Sequence, residues 1–253
     1  MISRKPLSDQ PSVRSPWFWV PSLYFAQGIP YVAVMIVSVL MYKRLGVSNT
    51  DIALYTSWLN LPWVIKPFWS PFVDLLKTKR WWVVTMQLLI GAGLAGVAFT
   101  IPTTFFFQAS LAVFWLLAFS SATHDIAADG FYMLALDSHE QAFFVGIRST
   151  FYRIAIIAGQ GVLVMFAGFL ENNTGNIPLA WSITFFILGG LFLGLFLYHR
   201  YILPLSEGDK PSVTVTPSTI VKEFFATFVS FFKKKQAFVA ILFMLLYLSL
   251  IHI

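Results

Sequence analysis

Four charged side chains stand out within the long apolar runs of this sequence: Lys66, Asp125, Asp129 and Arg153. A charge in hydrocarbon costs about 3 kcal/mol or more, so each is expected to pair, to face water or to serve a transport step. Their formal charges cancel, which allows a mutually paired cluster. Ser121, Asp125 and Asp129 recur every four residues and share one helical face, with Tyr132 three residues on and His124 adjoining. A buried carboxylate is costly to keep ionised unless a cation stands beside it. Asp125 is the deeper acid by about 6 Å at 1.5 Å per residue. It is the expected proton site, with Lys66 or Arg153 as exchangeable partner and Asp129 as relay or structural partner. A second polar stripe, Tyr24, Gln27, Tyr31 and Ser38, keeps to one face of the first apolar run and should look towards a cavity, while Gly28 and Pro30 are expected to interrupt that helix. The alternatives are a buried ion-pair network that only joins helices, and ordinary interhelical hydrogen bonding along the stripe.

The elements that must hold these residues follow from composition. The chain has 253 residues, 58% hydrophobic and 11% charged, with mean hydropathy +0.75. Soluble domains carry about 25% charged residues, so an ordinary soluble fold is excluded and the lipid bilayer is the expected surroundings. Apolar runs near the ~20 residues of a spanning helix extend over Trp17 to Leu40, Ile52 to Val73, Trp81 to Ile101, Phe105 to Tyr132, Phe143 to Leu170 and Ile177 to Tyr198. A seventh opens at Ala237 and stops with the chain, as a truncated helix would. The expected fold is an all-α polytopic membrane protein with four parts: an N-terminal segment (1–16), a six-helix bundle (17–199), a linker (200–236) and the truncated start of a second bundle (237–253). Within the linker, Ser218 to Phe232 has the spacing of an amphipathic surface helix. Thirteen of the 17 Lys and Arg fall on the N-terminal side of the membrane and only Lys43 and Arg44 on the other, which puts the N-terminus in the cytoplasm. Pro67 and Pro71 should bend or end the second helix.

Other chemistries are argued against. With no cysteine and four scattered histidines there is no disulfide, thiolate or zinc pattern. No catalytic triad, phosphate loop or metal cluster is recognisable, so no enzyme, metal or cofactor is expected, only a proton as coupling ion. The net charge of +6 fits membrane topology rather than nucleic acid. Gly91 to Gly96 matches G-x-G-x-x-G, but inside an apolar run without a preceding strand it reads as helix packing, as do Gly190 and Gly194.

Six helices, a linker and a resumed seventh helix resemble the N-terminal half of a major facilitator transporter. The stretch Ser70 to Arg80 resembles that superfamily's G-x-x-x-D-R-x-G-R-[RK] signature at Asp74, Lys79 and Arg80, and departs from it at Ser70 and Leu75. These three residues form the expected gate, because a carboxylate at a helix end beside a basic loop can change partners as bundles rock. Within the superfamily the chain resembles the AmpG-type muropeptide permeases. Lys66-Pro67-Phe68-Trp69-Ser70-Pro71-Phe72-Val73-Asp74 is similar to K-x-x-W-S-P-x-x-D, and Ser120 to Gly130 to S-A-[ST]-Q-D-I-x-x-D-[AG], with His124 in place of Gln. Tyr152-Arg153 matches a Y-R pair. The resemblance implies proton-driven import of muropeptides, anhydro-sugar peptides, across the bacterial inner membrane for cell-wall recycling. It also implies a second six-helix bundle as partner. Lys66, Asp125, Asp129, Arg153, Gln27, Tyr31 and His124 form the expected substrate and coupling set. The alternatives are a major facilitator carrier of another solute, such as a sugar, peptide or acyl-CoA, and a non-transporting receptor or scaffold.

Overall fold

The computed structural model describes residues 15–206, 208–209 and short pieces between 225 and 243. The N-terminal segment up to residue 14, most of the linker with its expected surface helix, and most of the seventh run lie outside the described residues. The bundle consists of α1 (Pro16–Arg44), α2 (49–76), α3 (Lys79–Thr100), α4 (Phe106–Ala135), α5 (Ser138–Thr174) and α6 (Ile177–Ile202); all but α2 are single helices long and apolar enough to span a membrane. No strand occurs among the described residues. Short polar caps start four of the helices, Ser48 accepting from Asp51 N at 3.1 Å at the head of α2. Thr78 accepts from Trp81 N at 3.1 Å, Asp137 and Glu140 form a capping box, and Asn176 accepts from Leu179 N at 3.0 Å ahead of Pro178.

The second apolar run is not one continuous helix. It breaks into Asn49–Thr56, Ser57–Asn60, Leu61–Ile65, Lys66–Phe68 and Ser70–Leu76. Pro62, Pro67 and Pro71 each stand in the first turn of a new piece, because proline lacks the N–H that would continue the preceding helix. The break at Pro67 sets Lys66 at the head of a 3₁₀ turn opposite α4.

The first helix behaves in the opposite way. It runs through Gly28 and Pro30 without interruption and loosens only into a π turn at Ala33–Val37; α5 carries a matching π turn at Ala158–Leu163. Gly28 and Gly159 set the crossing of the two helices. A Cβ on Gly28 would lie 2.7 Å from Ala155 Cβ, and one on Gly159 2.0 Å from Val32 Cγ1.

Apolar burial does not drive helices together in lipid, so close approach and shape decide the packing. Two buried layers result. Tyr42, Phe114, Trp181 and Phe185 fill the half near Arg44, while Trp19, Tyr24, Phe131 and Tyr132 fill the half near the start of α1. Gly91 belongs to the α3–α6 seam as expected, but its counterpart is Gly189, whose added Cβ would stand 3.0 Å from Gly91 O. Gly190 and Gly194 have open space, so the expected pair at those positions is corrected. Gly189→Ala should lower the unfolding midpoint of the solubilised protein, at an overpacking cost of about 1–3 kcal/mol, whereas Gly190→Ala should leave it unchanged. A thermal scan of both variants decides this.

Candidate functional site

Lys66 Nζ lies 3.8 Å from Asp125 Oδ2, and Asp125 is 7% exposed inside the bundle. Trp69 Nε1 donates to Thr123 Oγ1 at 3.2 Å and holds this stretch of α2 on α4. Gln27 of α1 and Trp63 of α2 stand beside the same carboxyl group. The site is incompletely bonded: Asp125 Oδ1, Gln27 Oε1, Trp63 Nε1 and Ser121 Oγ are buried without a hydrogen-bond partner. Tyr31 meets the Trp63 ring edge-on at 5.2 Å. Tyr24, Gln27 and Tyr31 of the polar stripe therefore do face the interior, while Ser38 only bonds back to Val34 O at 2.5 Å.

One turn along α4, Asp129 pairs with a residue outside the expected set. Its carboxylate lies 3.6 Å from Arg148 Nη1, and the Tyr24 hydroxyl donates to it at 3.0 Å while accepting from Arg148 at 3.1 Å. The Arg148 guanidinium also sits 4.9 Å from the Tyr24 ring centre and 5.1 Å from that of Tyr132, contacts worth ~0.5–1 kcal/mol each where partly exposed. Arg153 does not join a four-charge cluster. It lines a groove of about 410 Å³ with Tyr24, Gln27, Asp129, Arg148, Ser149 and Tyr152. Tyr152, another groove residue, is within electrostatic reach of Asp125, Asp129 and Tyr31.

His124 lies outside this site. Adjacent helical residues point about 100° apart, and the fully buried His124 ring turns to α3 and accepts from Gln87 Nε2 at 3.1 Å. Gln87 Oε1 accepts from His199 Nδ1 at 3.0 Å, and the other His199 ring nitrogen meets Ser22 Oγ at 3.0 Å. The chain Ser22, His199, Gln87, His124 thus joins α1, α6, α3 and α4 away from the groove. A second clamp, at the far end of the bundle, ties α1 to α5 and α6. Glu171 accepts from both Nε and Nη2 of Arg44, and Trp181 Nε1 donates to it at 2.7 Å.

At the end where α3 begins, Asp74 pairs with Lys79, whose stem crosses Gly130 of α4 so closely that a Cβ there would lie 2.8 Å from Lys79 Cε. Arg80 donates instead to Leu203 O at 3.1 Å and to Arg200 O, the end of α6. Asp209, absent from the expected set, accepts from the backbone N–H of Lys79 at 2.5 Å and of Arg80 at 2.9 Å. Among the described residues no group of three or more His, Asp or Glu side chains could hold a metal ion.

The sequence has known relatives. The model of the BT1 family matches residues 25–253. The chain belongs to the BT1 family. That family is part of the major facilitator superfamily. The BT1 chain is 28% identical to a putative transporter, AmpG 4, of Rickettsia conorii, over 85% of this chain and 52% of the relative. It is 24% identical to the anhydromuropeptide permease of Escherichia coli K12, over 89% of this chain and 44% of the permease. It is also 28% identical to an uncharacterised membrane protein of Saccharomyces cerevisiae, over 77% of this chain and 40% of the relative. The chain spans about half the length of the curated relatives it matches.

The reassignment of His124 is testable. His124→Leu strands the buried Gln87 amide and should cost about 1–3 kcal/mol, seen as a lower unfolding midpoint, whereas His124→Gln should keep the midpoint and the substrate KM. A raised KM for His124→Gln at an unchanged midpoint would return the residue to the binding site.

Proposed function

We propose that this chain forms one wall of a proton-coupled secondary transporter that imports anhydromuropeptides across the bacterial inner membrane, with its N-terminus in the cytoplasm. In this reading residues 17–199 are the first bundle, 200–236 the linker and 237–253 the start of a second bundle that closes the cavity. Family membership and the permease relatives support the transporter class, and the distribution of Lys and Arg supports the orientation.

The observation that carries the reading is the Lys66–Asp125 pair with its unpartnered oxygen. At 3.8 Å and an effective dielectric of 20, such a pair attracts by about 4 kcal/mol. A proton on Asp125 removes that attraction and supplies an O–H donor where Gln27 Oε1 lacks one. Four kcal/mol of gross attraction corresponds to about a thousandfold change in a two-state population, which biases the alternation of the two states. Asp74, Lys79 and Arg80 act as the gate, Asp74 exchanging partners while Asp209 and Arg80 hold the ends of α3 and α6 together.

The test uses the full-length protein in proteoliposomes. Asp125→Asn should abolish anhydromuropeptide accumulation driven by a pH gradient while sparing exchange at equal pH, and Asp129→Asn should be milder. Wild-type accumulation by Asp125→Asn would move the proton site elsewhere. Accumulation of a sugar, peptide or acyl-CoA in place of muropeptide would change the substrate and keep the mechanism.

A further inference from the structure

The groove between α1, α4 and α5 holds two guanidinium groups and one carboxylate, an excess of one positive charge in a space of about 410 Å³. Arg148 is located by aromatic rings more than by the acid. Its guanidinium lies against Tyr24 and Tyr132, while Asp129 stands at 3.6 Å with no direct hydrogen bond between them. A guanidinium offers five N–H donors in a fork that matches a carboxylate. Among the described residues Arg148 uses one of them, on the Tyr24 hydroxyl, and Arg153 makes no hydrogen bond or ion pair at all.

Resting on the transport reading above, we propose that Arg148 and Arg153 form a clamp for a peptide carboxylate of the substrate, and that Asp129 is the resident acid which this carboxylate displaces from Arg148. Three features support the exchange. The rings keep Arg148 in place when Asp129 leaves, so the incoming acid meets a preformed fork. The departing Asp129 keeps its hydrogen bond from Tyr24 and is 41% exposed as a side chain, so it is not stranded in a dry interior. One carboxylate replaces another on the same cation, so a neutral ligand cannot make the exchange. The phenol of Tyr152 lines the groove and lies within electrostatic reach of both Asp125 and Asp129, which carries a change in the groove to the proton site.

Ser149 is exposed on the groove and this chain has no cysteine, so Ser149→Cys in an otherwise cysteine-free full-length protein reports occupancy through its rate of maleimide labelling. An anhydromuropeptide with free peptide carboxylates should slow labelling at least tenfold at saturation. The same compound with amidated carboxylates, and acetate at equal concentration, should leave the rate within twofold. Arg148→Gln should remove the protection; Arg153→Gln, at an exposed and unbonded residue whose loss does not threaten the fold, should weaken it at least threefold. Absent protection by the free acid, equal protection by the amide or by acetate, or full protection in both arginine variants would overturn the clamp. Protection without proton-driven uptake would leave the clamp standing and overturn the transport reading; uptake without acid-specific protection would do the reverse.

Discussion

A charged pair inside hydrocarbon has no cheap substitute for its partner, and the Lys66–Asp125 contact imposes that constraint on the bundle. Lys66 reaches α4 because α2 breaks at Pro67; an unbroken α2 would place the same side chain at a different angle and height. The break frees backbone groups that a straight helix would satisfy, which is tolerated in a membrane only where protein or a cavity lies alongside. Trp69 on Thr123 supplies part of that neighbourhood. The buried pair and the irregular helix thus depend on each other.

The remaining polar groups fall into two kinds. The Ser22–His199–Gln87–His124 chain and the Arg44–Glu171–Trp181 clamp make hydrogen bonds from element to element and join α1, α3, α4, α5 and α6 at two levels. Bonded networks of this sort rigidify a core and fix its arrangement. Around Asp125 and Arg148 several donors and acceptors go without a bond, whereas in the chain through Gln87 His124 Nδ1 is the group left without one. In the proposed transport cycle a body that rocks as a unit uses the first kind, and a site that binds and releases uses the second.

Much of this was legible in the sequence. Runs of about twenty apolar residues locate helices because a bilayer has a fixed thickness, and the intramembrane charges marked the site because hydrocarbon tolerates few of them. What was illegible depends on angle and partner. Asp129 pairs with Arg148, which stands five residues into the Phe143–Leu170 run yet was not among the charges singled out there, because which face of α5 meets α4 cannot be read from one run alone. His124 is next to Asp125 in sequence yet faces α3, where Gln87, a buried amide in an apolar run, was the available signal. Asp209 holds the start of α3 from 130 residues away, a contact no local pattern announces.

In the proposed cycle Asp125 holds Lys66 in one state and a proton in the other. Addition of an anhydromuropeptide to the solubilised full-length protein in weakly buffered solution, followed with a pH-sensitive dye, measures the protons exchanged on binding. A measurable proton exchange is expected in the wild type and none in Asp125→Asn, with substrate still bound in both. The same exchange in Asp125→Asn as in the wild type would contradict it.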